Sequence, residues 1–444
     1  MPIPPRRETP ATRNPLPASR RSSRNGVPTL NMYSHTLPGP IRTAADKMRR
    51  GNLLLLVLVL ALMSVGIAFI YGTGHQSGVL AGHWSRQTAW AVLGLLAMAT
   101  LALFDYEVLG RHAVWIYIGS IVLLIAVLAF GNDPVSGSKM RLRIVPEINV
   151  QPAEFAKLGL LIPLAWAASR PFIRLERPRY IIPFLALAAI PVVLISRQPD
   201  LGSALVLIPM TAAVLFASGL PLRWLLVPMA AGMILLPSYY ELNDYCLKLA
   251  PGDPPVELSA SRPPGKQKTQ ERPVICRLCL KKYQFDRLKT FIHPSTNPTG
   301  SGWNALQSLL AVGSGGLYGK GYMKGTQNVL GFLPWTVAPT DFIFSVIAEE
   351  TGFVGSSLTV VAFSALLILC IFIAAKARDN FGRNLACGIA VMFGCHIYIN
   401  IGMTMGMAPI IGIPLPFVSY GGSFMILSLS CVGILQSVYI HRRN

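Results

Sequence analysis

From Asn52 to Tyr71 the chain carries no charged residue, and the stretch matches the roughly 20 apolar residues a helix needs to cross bilayer hydrocarbon. A tail of fifty residues precedes it, and the apolar run is too long for a secretory signal. Further apolar runs follow at about 87–104, 114–130, 153–169, 181–196, 201–218, 222–239, 341–374, 384–407 and 422–440. Ten candidate spans in one chain leave little choice of architecture: an all-α polytopic membrane protein. Composition agrees, because hydrophobic residues make up 52% and charged residues only 13%, about half the charged share of a soluble domain. That excludes a disordered chain, a collagen-like fibre and a disulfide-stapled miniprotein. The net charge of +20 would suit a nucleic-acid binder, but such a binder does not explain the apolar excess, so no nucleic-acid partner is expected.

The basic residues instead read as a topology signal. Residues 1–50 hold ten Lys and Arg among Pro2, Pro4, Pro5, Pro10, Pro15 and Pro17, the composition of a disordered basic tail. With that tail inside, the cytoplasmic connections contain Arg111, then Arg170, Arg174, Arg177 and Arg179, then Arg223, then Lys376, Arg378 and Arg383, and finally Arg442 and Arg443. The outside stretch 408–421 has no basic residue. The chain therefore divides into a cytoplasmic tail (1–50), spans 1–7 (51–239), one large external loop (240–340) and spans 8–10 (341–444), with both termini cytoplasmic. A loop of that length marks a functional element. Its first half is a flexible, basic insertion. Cys246, Cys276 and Cys279 lie in it, where a disulfide, free thiols and a metal site are all open readings. Cys370, Cys387, Cys395 and Cys431 fall in spans and read as packing residues.

Ionisable groups inside spans cost kilocalories and face a cavity or a partner. Gln151, Glu154 and Lys157 recur every three residues, so they share one helix face, either as a structural ion pair or as the wall of a polar cavity. Arg141 lies just upstream. Arg197-Gln-Pro-Asp200 fills a short external turn, Asp341 opens the eighth span, and Glu349 and Glu350 follow two turns in. The segment Pro414 to Ser423 is rich in helix breakers at membrane depth, where irregular backbone must be buried or line a wet cavity. The glycine-rich stretch 313–321 lacks the nucleotide-loop spacing, because Ser314 stands five before Gly319 and Gly321 follows Lys320. Close backbone packing and binding of a lipid-linked phosphate remain its readings.

Taken in order, Gln151-Pro-Ala-Glu-Phe-Ala-Lys157, Arg197-Gln-Pro-Asp-Leu-Gly-Ser-Ala204, Trp303 through Gly316, Gly325-Thr-Gln327, Phe332-Leu-Pro334, Thr340-Asp-Phe-Ile-Phe344 with Glu349-Glu350, and Pro414 to Ser423 resemble the SEDS family of shape, elongation, division and sporulation proteins. The Gly-Ile-Pro-Leu-Pro-Phe form is closer to the elongation members than to the division members. The likeness spans roughly residues 50–440. It implies a bacterial cytoplasmic (inner) membrane enzyme that polymerises lipid II, the undecaprenyl-pyrophosphate-linked disaccharide pentapeptide, into peptidoglycan strands at the outer face. It also implies a class B penicillin-binding protein as partner. On this resemblance the substrate-binding candidates are Arg141, Glu154, Lys157, Arg197, Asp200, Gln307, Ser308, Lys320, Asp341, Ser419, Gly421 and Gly422. Among them Arg141, Lys157, Arg197 and Lys320 could meet the pyrophosphate charge. No cofactor is required by the sequence; a divalent metal is left open.

The sequence departs from the family pattern at its most chemical point. The external motif that usually carries an essential Asp reads His293-Pro-Ser-Thr-Asn297-Pro-Thr-Gly-Ser-Gly-Trp303 here, so the catalytic position is Asn297, and an amide can serve neither as a general base nor as a charged ligand. The earlier Asp position is His293. Ala153 and Leu142 replace a usual Ser and Trp. Two expectations follow. Another group takes the base role, with His293 nearest and Asp286 or Asp341 behind it, or the protein is a weak or inactive polymerase that scaffolds and activates its partner. Lipid II translocation is a third, weaker reading of the same cavity.

Overall fold

The computed structural model describes residues 50–77, 82–131, 140–145, 148–171, 173, 175, 178–198, 200–249, 282–293 and 300–442. The N-terminal tail to residue 49, most of the basic insertion with Cys276 and Cys279, and Asn297 lie outside them. Ten helices coincide with the ten apolar runs: α1 (Leu53–Ser77), α2 (His83–Leu103), α4 (Ala113–Phe130), α5 (Pro152–Ala168), α6 (Pro178–Arg197), α7 (Leu201–Ala217), α8 (Arg223–Leu249), α12 (Ile343–Ala375), α13 (Asn380–Thr404) and α14 (Gly422–Ile440). Short helices α3 (Glu107–Arg111), α9 (Lys282–Ile292), α10 (Ser301–Ser314) and α11 (Thr326–Val329) fill the connections. Seven of the described helices are long and apolar enough to span a membrane alone. The two halves of α8, bent by 49° at the break before Pro237, make an eighth. The helices α5 and α7 have 17 residues each, and their N-caps, Gln151 and Asp200, belong to the polar site described below. The chain is a polytopic, all-α membrane protein.

A feature absent from the periodicity is a small antiparallel hairpin, β1 (Leu142–Val145) with β2 (Ile148–Val150), immediately before α5. Another is the reach of α8, which continues to Leu249 and so carries its helix past the expected start of the external loop at 240. Cys246, near that end, is disulfide-bonded, whereas Cys370, Cys387, Cys395 and Cys431 are free thiols in the spans.

The core is assembled around α5, α13 and α14. In α14 nearly every residue from Ser423 to Val438 is buried, which fits a helix that is apolar all round and enclosed by others. It packs along α2, where an added methyl at Gly433 would lie 2.6 Å from the Met98 carbonyl oxygen. The start of α1 is fixed to the end of α14 by a reciprocal amide pair: Asn52 N donates to Gln436 Oε1 (2.7 Å) and Gln436 Nε2 donates to Asn52 O (2.9 Å). By contrast, α8 is exposed at every residue from 226 to 235, so it stands apart from this core.

Candidate active site

The local sequence places a carboxylate and an ammonium one turn apart on α5. Pro152 begins that helix, where a missing N–H does no harm, and the spacing of Gln151, Glu154 and Lys157 then turns all three toward α7 and α13. Lys157 is fully buried and Glu154 nearly so. Lys157 Nζ donates to Glu154 Oε1 (3.0 Å) and Oε2 (2.9 Å), and it lies 3.1 Å from His396 Nε2 on α13. A charged lysine has only protons to give, so His396 Nε2 accepts, and its Nδ1–H donates to the Pro414 carbonyl 3.0 Å away. Ser203 Oγ on α7 adds a 3.4 Å bond to Glu154 Oε1. The ammonium also faces the Phe424 ring, on which His396 stacks. All three ammonium donors are used, which is the condition for burying such a pair.

A second polar tier lies above this pair. Asp200 caps α7 by accepting from Ser203 N (3.0 Å), and its other oxygen accepts from Gln151 Nε2 (2.8 Å). Gln151 N donates to Ser423 Oγ (3.1 Å), tying the start of α5 to α14. Asp341 sits in the turn two residues before α12. Its backbone is held by Asn400 Nδ2, which donates to Asp341 O (3.0 Å) and to Ile413 O (2.7 Å). Burial, with a smaller push from the Asp200 carboxylate, raises its carboxyl to about 6 against the pull of Arg287 and Arg141. Arg287 comes from α9, an amphipathic helix of the connection between α8 and α12, and its Nη1 donates to Ile411 O (2.6 Å). Beside it, a pocket of about 190 Å³ opens between α9, α10 and the 403–410 segment, walled by Phe291, Leu306, Leu309 and Met403.

The breaker-rich segment before α14 is the site's third wall. Gln87, fully buried on α2, donates through Nε2 to Ser419 O (3.1 Å) and accepts from Gly421 N (3.1 Å) through Oε1. Tyr420 N donates to Pro339 O (2.8 Å), and the Tyr420 ring stacks on His83 at 4.4 Å. Ser419 is spent on this turn, its Oγ accepting from Leu415 N (2.8 Å). Gly422 lies against Trp90, with only 2.5 Å for an added methyl. Phe417 holds a left-handed φ of 65°, a conformation bulky residues adopt only when packing imposes it.

Other expected site residues fall elsewhere. Lys320 is in a separate cluster, donating to Glu349 Oε1 (2.6 Å), Thr326 Oγ1 (2.6 Å) and Ser314 Oγ (2.8 Å). Ser308 on α10 shares a hydrogen bond with Ser345 (2.6 Å) and donates to Thr404 O (3.0 Å); Gln307 beside it is buried. Arg197 is exposed at the end of α6 and His293 at the end of α9. The glycine-rich stretch serves close packing: an added methyl at Gly319 would stand 2.1 Å from Glu350 O, and at Gly315 2.2 Å from Ala348 O. There α12 is broken at Gly352 (φ 67°, ψ −160°), and Phe353 N and Val354 N donate to the loop carbonyls of Gly316 (2.9 Å) and Leu317 (3.1 Å). Arg287, Gln87, His396 and Asn400 are site residues the sequence did not single out. The alternation of charged and apolar residues in 282–292 was the available signal for Arg287. Among the described residues no cluster of three His, Cys, Asp or Glu could hold a metal.

Comparison with known proteins agrees along the length of the chain. The family model FTSW_RODA_SPOVE, described as cell cycle protein, matches residues 51–250 and 269–444. The peptidoglycan glycosyltransferase RodA of Treponema pallidum is 32% identical, over 87% of this chain and 96% of its own length. The peptidoglycan glycosyltransferase MrdB of Escherichia coli is 31% identical, over 90% and 96%. A probable peptidoglycan glycosyltransferase FtsW of Trichlorobacter lovleyi is 33% identical, over 87% and 92%. Among solved structures, a chain from a peptidoglycan synthase complex that coordinates polymerisation and crosslinking superposes with a TM-score of 0.68 at 28% identity, covering 89% of this chain and 99% of that one. The rod-shape-determining protein RodA of Thermus thermophilus gives 0.59 at 27% identity, covering 89% and 98%. With its two buried polar tiers beneath the loop that joins α8 to α12 and a family match across nearly all of its length, this chain belongs to the FtsW/RodA/SpoVE, or SEDS, family.

Proposed function

We propose that the protein is a peptidoglycan glycosyltransferase that polymerises lipid II at the outer face of the bacterial cytoplasmic membrane during elongation, with both termini in the cytoplasm and a class B penicillin-binding protein as partner. The observation that carries this reading is the two-tier polar site, which runs from the buried Lys157–Glu154 pair up to Asp341, Arg287 and Arg141. A lipid-linked saccharide presents a sugar and a pyrophosphate to the outer surface and a polyprenyl chain to the bilayer. The arginines Arg141 and Arg287 supply the cationic charge at that level, because Lys157 and Lys320 are each paired with a carboxylate and have their remaining protons donated to neighbouring side chains. The exposed residues 226–235 of α8 offer an apolar surface along which the lipid chain can lie. The named activities of the RodA and MrdB relatives and the subject of the solved complex support the same assignment.

The test is polymerisation of fluorescent lipid II by the purified protein with and without its penicillin-binding partner. Glycan ladders from the complex are expected; their absence from wild type and from Asn297→Asp alike would sink the enzyme reading. That outcome would leave the scaffold reading, which the amide of Asn297 favours, because the family resemblance implies an essential Asp at that position.

A further inference from the structure

We propose that Asp341 is the general base of this chain's transfer reaction, with Arg287 and Arg141 receiving the pyrophosphate leaving group; the assignment rests on the glycosyltransferase reading. With Asn297 an amide, a carboxylate must come from elsewhere, and the structure separates the candidates by what their oxygens already do. Both oxygens of Glu154 are held by Lys157. Those of Asp200 accept from Ser203 N and Gln151. Glu349 is taken by Lys320, Thr326 and Gln327 N, and Glu350 by Met323 N.

Asp341 differs from all of these. Its backbone is fixed, its N donating to Val337 O and its carbonyl accepting from Asn400, yet among the described residues its carboxylate accepts no hydrogen bond and joins no ion pair. The approach to that carboxylate is kept open by Gly412, whose φ of +77° favours glycine and where an added methyl would lie 3.2 Å from Asp341 Oδ2. The charged groups facing it come from three elements: Arg287 on α9, Arg141 before β1, and Asp200 before α7. A carboxyl lifted to about 6 is largely ionised at neutral pH and basic enough to take a proton, which is the tuning general-base catalysis favours.

The step balances. The hydroxyl oxygen of the acceptor saccharide bonds to the anomeric carbon of the donor while its proton passes to an Asp341 oxygen. The bond between that carbon and the pyrophosphate oxygen breaks, and its electron pair leaves with the lipid pyrophosphate, whose added negative charge Arg287 and Arg141 neutralise. Asp341 then returns its proton to external water.

The experiment compares wild type and Asp341→Asn in complex with the penicillin-binding partner, measuring lipid II polymerisation against pH, lipid II affinity, and elution as a single folded species. Turnover is expected to fall at least about 100-fold with affinity within about threefold. The rising limb of the wild-type profile near pH 6 should be absent from the residual activity, and Asp341→Glu should restore part of the rate. Near-wild-type turnover in folded Asp341→Asn, or persistence of the limb, would overturn the assignment, as would loss of the limb in His293→Ala instead. If wild type makes polymer and Asp341→Asn does too, the base assignment falls alone. If neither wild type nor Asn297→Asp makes polymer, it falls together with the glycosyltransferase reading.

Discussion

The ammonium of Lys157 and the carboxylate of Glu154, one helical turn apart on α5, form a bidentate ion pair at 3.0 and 2.9 Å with almost no solvent access. Such a pair is weakly stabilising when whole and strongly destabilising when halved, because the remaining charge has no water to turn to. Lys157→Met is therefore expected to lower stability by about 3–5 kcal/mol. Adding Glu154→Gln should recover much of that loss. Thermal melts of the three variants in detergent check both statements; an additive double mutant would contradict them.

The carboxyl of Asp341 gives stability a pH dependence of definite sign. Burial pushes it up to about 6 in the folded protein, against 3.8 for a free aspartate. Between those values the folded state holds more protons than the unfolded chain, so stability falls as pH rises through that window. Below it the penalty is absent, and above about 6 it is complete. Melting temperatures measured across this range should decline for wild type and decline less for Asp341→Asn.

The break in α12 sets a limit on substitution. Gly352 has φ +67°, and a methyl there would sit 2.3 Å from Gly319 N. Gly352→Ala combines a strained backbone with a clash against main chain that has no room to retreat. Loss of at least about 3 kcal/mol is expected. Yield and monodispersity on size-exclusion chromatography would show it, and a well-behaved alanine variant would refute it.

Gln87 is the anchor of the segment before α14. Gln87→Leu leaves Ser419 O and Gly421 N without their partner, and each buried orphan costs about 1–3 kcal/mol. The expected result is a lower melting temperature and weaker lipid II binding, with the secondary structure intact by circular dichroism.

How far the sequence reveals this molecule varies by region. The ten helices were legible because long uncharged apolar runs favour helix, and the face shared by Gln151, Glu154 and Lys157 followed from helical spacing alone. The gathering of Asp200 beside Gln151 did not, since those residues are 49 positions apart. His396 sits inside an apolar run, so nothing local marked it as the third partner of Lys157. Gln87 was equally silent, its role fixed by a segment more than 330 residues downstream. Lys320 looked like a free cation beside glycines; only the fold shows that Glu349, on a different element, has claimed it. Turn chemistry and span length are encoded locally, whereas pairing between spans is decided by packing.

The way α12 lends its broken hydrogen bonds to residues 316–317 has a consequence for chimeric proteins. The loop between α8 and α12 is not a detachable module mounted on a finished membrane scaffold. Its glycines complete the backbone of a span, Tyr322 donates to Ala68 O of α1 at 2.6 Å, and Lys320 neutralises an acid within that span. A loop grafted between relatives must therefore travel with its own copy of α12, and a graft that splits the two at residue 340 would leave both halves unfinished.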